Sequence, residues 1–101
     1  MSDVSITLNG RAETLRCTLR AAKLVNAAGG FAEALRRLAG FDLDAYVAIV
    51  AAGLGKKPSD VEDAVYEAGL PNLTEALSEY VGLLSNGGRP FKSESSGEGE
   101  A

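Results

Sequence analysis

Near the N-terminus, Asn9-Gly10 separates two runs in which apolar and polar residues alternate. Val4, Ile6 and Leu8 alternate with Ser5 and Thr7, and Leu15, Cys17 and Leu19 resume the alternation beyond the turn. Alternation with period two marks strands with one apolar face. Asn-Gly is the strongest short hairpin signal, because both residues tolerate positive φ. The rest of the chain reads as short amphipathic helices and a polar tail, so this one hairpin must pack on helices. A two-residue turn sets Leu8 opposite Arg11 and Val4 opposite Leu15; a longer loop sets Ile6 opposite Leu15. Both keep the six apolar residues of segment 4–19 on one face, with Arg11 and Glu13 joining them near the turn. The register stays open between the two.

Glycines and caps divide the remainder into about five helices. Thr18 can cap the first, over about 19–28, and Gly29-Gly30 ends it. Phe31, Leu35 and Leu38 recur at i, i+4 and i+7, which predicts a helix over 31–39 stopped by Gly40. Asp42 can cap a third helix, about 43–54, with Leu43, Tyr46, Val47, Val50 and Leu54 on one stripe and Gly53 and Gly55 weakening its end. Lys56-Lys57-Pro58 is a connector. Ser59-Asp60-Val61-Glu62 fits a capping box opening a helix over about 60–68, which carries Val61, Ala64, Val65 and Ala68 on one face and stops at Gly69. Pro71 suits the first turn of a last helix, about 72–85. There Leu73, Ala76, Leu77, Tyr80, Val81 and Leu84 form the strongest stripe in the chain, and Asn86-Gly87-Gly88 closes it. The segment GGRPFKSESSGEGEA, 87–101, has too few large apolar residues to offset its ordering entropy and is expected to be disordered. The fold class predicted is α+β, mainly α: a single folded domain over 1–86, with a hairpin on about five short helices.

At 101 residues the chain is one domain. A folded part of about 86 residues buries only about 60–65% of its unfolded surface, so a partner would add useful stability. Its hydrophobic fraction is 46%, much of it alanine, so Leu, Val, Ile, Phe and Tyr must fill the core. The net charge of −4 and pI near 4.7 argue against nucleic-acid binding, which draws most of its affinity from neutralising phosphates. Arg16, Arg20 and Lys23, and separately Arg36 and Arg37, read as solvated basic faces. Cys17 is the single cysteine and reads as a buried, inert thiol in a reducing compartment. The polar N-terminus does not resemble a signal peptide, and no apolar run approaches the roughly 18 residues of a membrane span. Synthesis and residence in the cytoplasm are expected.

The chain is poor in chemistry. It has no histidine and one cysteine, so it lacks the ligands of a zinc site. Asp42 and Asp44 begin like a calcium loop, but Tyr46 and Val47 stand where a ligand and a glycine are needed. Gly55-Lys56 lacks the earlier glycine and the following hydroxyl of a phosphate loop; Val50 and Lys57 occupy those places. A Ser or Cys nucleophile has no evident base. Neither an enzyme nor a cofactor is expected. Asp60, Asp63 and Glu67 share a helix face, which is either solvated or a dock for a basic partner. Phe31, Tyr46 and Tyr80 lie on apolar stripes, Tyr66 falls off its stripe, and Phe91 is isolated in the tail. Tyr66, Tyr80, Leu83 and Phe91 are the candidate partner-binding residues.

The order of parts, VSITLNG running into ETLRCTLRAAKLVNAAGG, then DAYVAIVAAGL, SDVEDAVYEAGL and LTEALSEYVGLL ending near Phe91, resembles a small family of tail proteins of phages and gene transfer agents. The likeness covers about residues 4–91. Members are described as tail assembly chaperones, and sometimes as tail tube proteins. The resemblance implies a protein that binds the elongated helical tape-measure protein before the tail tube polymerises around it, shields its apolar surface, and is generally not retained in the particle. In many such systems a frameshift appends a second segment. Two other readings accompany it: a minor structural tail component associated with the virion, and a cytoplasmic adaptor or antitoxin-like binding protein.

Overall fold

The computed structural model describes residues 3–90. Two strands, β1 (Val4–Leu8) and β2 (Arg11–Leu15), are followed by α1 (Leu19–Asn26), α2 (Phe31–Ala39), α3 (Leu43–Leu54), α4 (Pro58–Ala68) and α5 (Leu70–Ser85). This is the mainly helical α+β architecture that the sequence predicts. Asn9 and Gly10, at φ 55° and 74°, form a two-residue turn. The strands pair antiparallel with Val4 opposite Leu15 and Leu8 opposite Arg11, so the tighter of the two registers holds. Val4, Ile6, Leu8, Leu15 and Cys17 face inward and are buried. Pairing ends at Leu15, short of the predicted extent to 19. Leu19 leaves the shared face as the first residue of α1 and is 74% exposed.

Thr18 caps α1 as expected, its hydroxyl accepting from the Ala21 N–H at 3.0 Å. Asp42 caps α3 in the same way, through the Ala45 N–H at 3.3 Å. The capping box at Ser59 does not form. Pro58 starts α4 two residues earlier, Lys57 is the cap residue, and it makes no side-chain cap bond. Proline is well placed there because the first helical N–H has no intrahelical partner. In α2 the inward residues are Ala34 and Leu38, with Phe31 half-buried; Leu35 is displaced outward to 38% exposure.

One core joins the hairpin to all five helices described. Two elements organise it. Helix α3 packs against β2, α1, α2, α4 and α5, and so buries Tyr46, Val47, Ile49, Val50, Ala51 and Gly53 around most of its circumference. The single stripe predicted there is too narrow, and Leu43 at its start is 37% exposed. Helix α5 packs against β1 and the other four helices, burying Leu73, Leu77, Tyr80, Val81, Leu83 and Leu84. Val61 and Val65 are the inward residues of α4.

Polar clamps tie this core at two points. The Tyr80 hydroxyl donates to the Arg16 carbonyl, and the Arg16 N–H donates to the Gly53 carbonyl at 3.0 Å. The exit of β2 is thereby fixed to both α3 and α5. Gly53 permits the approach, since a Cβ there would stand 2.7 Å from Leu15 Cδ2 and 3.0 Å from Leu15 Cβ. The Tyr46 hydroxyl donates to the Leu38 carbonyl at 2.6 Å and lies 2.6 Å from the Thr74 hydroxyl, joining α2, α3 and α5.

At the C-terminal end of α5, the Gly88 N–H reaches back to the Leu83 carbonyl at 2.7 Å, and the Asn86 side-chain amide donates to the Arg89 carbonyl at 3.0 Å. Residues 87–90 are thus built into a helix cap, which corrects the expectation of disorder from 87. The remainder of that expectation, 91–101, lies outside the described residues.

Candidate partner-binding surface

The four residues nominated from sequence do not form one surface. Tyr66 is on α4 and 70% exposed. Tyr80 is fully buried, so it cannot meet a partner while the core is intact, and Leu83 is 5% exposed at the floor of a small groove lined by Ser78, Glu79, Gly82 and Pro90. Phe91 lies outside the described residues. The apolar stripe of α5 is consumed by packing. The acidic residues Asp60, Asp63 and Glu67 are all exposed beside Tyr66 on α4.

Apolar surface is displayed elsewhere. Helix α1 turns Ala21 and Val25 into the core and leaves Leu24 53% exposed. Leu24 stands on the rim of a groove of about 230 Å³ between α1, α2 and α3. Val25, Ala34, Ala45 and Ile49 form its floor, and Ala28 and Ala48 lie along its sides. Alanines at these places let another backbone come close. Arg37 and Asp44, one of each charge, are the polar residues lining it. Arg37 is held by the Glu33 carboxylate at 3.1 Å, and Arg36 donates twice to the same carboxylate, at 3.0 and 2.6 Å. These bonds, Arg36 before Arg37, hold the Glu33 carboxyl below its usual range.

Phe41 sits at the corner where α2 passes into α3, and it is 52% exposed. Its backbone is left-handed, φ 56°. The Phe41 N–H donates to the Leu38 carbonyl and the Asp42 N–H to the Arg37 carbonyl, at 3.1 and 3.0 Å. That pair of bonds is the Schellman closure of a helix, in which the left-handed position is normally glycine. Helices α3 and α5 place Gly55 and Gly87 there, at φ 68° and 70°. A side chain at such a position costs about 1–2 kcal/mol. The chain carries that cost in the turn between Arg37 and Asp44, the two charged residues of the groove, with Leu43 nearby in the chain. Sequence reading missed this residue because Gly40 looked like the stop, whereas the left-handed residue is the next one.

Cys17 is buried, and burial, followed by the nearby Asp3 charge, pushes its thiol upward, so the thiolate is disfavoured. Among the described residues no cluster of His, Cys, Asp and Glu could hold a metal ion, and no helix is long and apolar enough to cross a membrane. The surface displays an apolar groove between α1, α2 and α3 and, in the α2–α3 turn, an exposed aromatic in left-handed backbone. No family model, no curated protein and no solved structure matches the chain.

Proposed function

We propose that this protein is an assembly chaperone of a phage tail or gene transfer agent, which shields an apolar stripe of an elongated, helical tape-measure protein. The observation that carries the reading is the groove between α1, α2 and α3, with Leu24 on its rim and Phe41 exposed in the α2–α3 turn. An amphipathic helix lays apolar residues at i, i+3, i+4 and i+7 into such a groove. The resemblance to tail assembly proteins supports the choice of partner.

The test is co-expression with the tape-measure protein encoded nearby. The intact protein should raise that partner's soluble yield and co-purify with it. Leu24→Asp and Ala48→Glu should each remove both effects while leaving the circular dichroism spectrum unchanged, since both positions are exposed. Deleting α5 would be uninformative, because its buried residues belong to the core. A protein that neither binds nor solubilises the partner, yet persists in purified tails, would be a minor structural component instead.

A further inference from the structure

A groove of about 640 Å³ runs between β1 and the corner where α4 meets α5. Ser5 and Thr7 line it from one face of β1 and Ile6 from the other, while no residue of β2 does. A cavity lined by both faces of a strand lies along that strand's edge. The two-residue turn makes Leu8 and Arg11 a hydrogen-bonded pair. The alternation along the ladder then directs the N–H and C=O groups of Ser5 and Thr7 away from β2, toward the groove. Among the described residues the sheet has two strands, and none pairs with this edge. Proteins usually block such an edge with lysine, proline or a bulge, and β1 (VSITL) has none of these. The opposite wall is apolar at Leu73, Ala76 and Ala68 and carries one charged residue, Glu67, which is exposed and has no ion pair among the described residues.

We infer that this groove takes an extended segment of a partner polypeptide as a third strand on β1, with an apolar residue over Leu73 and Ala76 and a lysine or arginine against Glu67. Main-chain bonds to Ser5 and Thr7 supply affinity that does not depend on sequence, and the cation supplies selectivity. Two internal occupants fit less well. The segment beyond Pro90 carries Glu94, Glu98 and Glu100 against Lys92, and Pro90 itself lines a different groove, beside Ser78 and Leu83. A second copy's β1 brings no cation. The site shares no residue with the α1–α2–α3 groove, so it stands or falls apart from the chaperone reading.

The probe is the capped pentapeptide acetyl-Thr-Val-Lys-Val-Thr-amide, added to the ¹⁵N-labelled full chain, with a Glu-for-Lys peptide as control. Saturable amide shifts should centre on Ser5–Thr7 and Asn72–Ala76, and hydrogen exchange at Ser5 and Thr7 should slow. Glu67→Lys, on an exposed helix face, should weaken binding about fivefold, the scale of a surface ion pair. Thr7→Pro removes an N–H from the open edge and leaves the ladder to β2 intact, and should weaken binding about tenfold. Equal binding of the Glu peptide, shifts centred elsewhere, or dimerisation through β1 without peptide would each overturn the inference.

Discussion

Tyr80 is on the α5 stripe in sequence, and so could serve either the core or a partner. Its hydroxyl decides between them, because a ring anchored to the Arg16 carbonyl is not available for contact. Burial, then the Cys17 and Asp3 charges, raises its ionisation above the ordinary value near 10. In the unfolded chain it ionises near that ordinary value. Its contribution to stability is therefore complete below about pH 10 and is lost as pH rises toward the folded-state value. Urea midpoints between about pH 8 and pH 11 should fall less steeply in Tyr80→Phe than in the parent. At neutral pH that variant should be weaker by about 1–3 kcal/mol, since the Arg16 carbonyl loses a partner. Cys17 shifts in the same direction, so Cys17→Ala is the control for its share. Phe41 makes the opposite case. Phe41→Gly should raise stability by about 1 kcal/mol in urea titration by removing left-handed strain. Under the chaperone reading it should also weaken tape-measure capture, so that stability and binding move in opposite directions.

Helices and strands differ in how far their sequence reveals them. The hairpin was legible because Asn9-Gly10 and the flanking alternation agree, and α5 because its stripe repeats over four turns. Thr18 and Asp42 were legible as caps because their bonds are local. The start of α4 was not: Ser59 matched a capping pattern, but Pro58 is already suited to the first helical position, and two local signals one residue apart cannot be ranked without the fold. Periodicity also reports that a face is apolar, not how many neighbours will cover the helix. Hence α3 reads as one stripe although five elements surround it, and Leu83 reads as spare although it is buried. The groove was invisible because Ala28 comes from the turn after α1, Ala34 from α2, and Ala45 and Ala48 from α3, and alanine is as common at a closed contact as at an open one. Within α5, Leu77 is fully buried. Leu77→Ala should cost about 2–5 kcal/mol by denaturant unfolding. A loss below about 0.5 kcal/mol would contradict the burial of Leu77, because the transfer term remains even where the cavity collapses.

Across the whole molecule a single core runs from Val4 to Leu84, and Tyr46 and Tyr80 both lie within it. Because the chain has no tryptophan, tyrosine signals in Tyr66→Phe, which removes the exposed ring, report on that core while far-ultraviolet circular dichroism reports on the helices. The two should give coincident urea transitions. An earlier loss of helical signal would show that a helix with only two buried residues, such as α1, α2 or α4, opens before the rest. The packing of β1 on α5 also has a kinetic consequence. The ribosome delivers β1 first and α5 last, and Arg16 must wait for Tyr80, 64 positions later, before its clamp can close. During synthesis the nascent hairpin therefore holds Val4, Ile6 and Leu8 uncovered, and the core cannot close until nearly the whole chain has been translated. A core arranged in this way closes late, because its first strand waits on a helix more than sixty positions further along the chain.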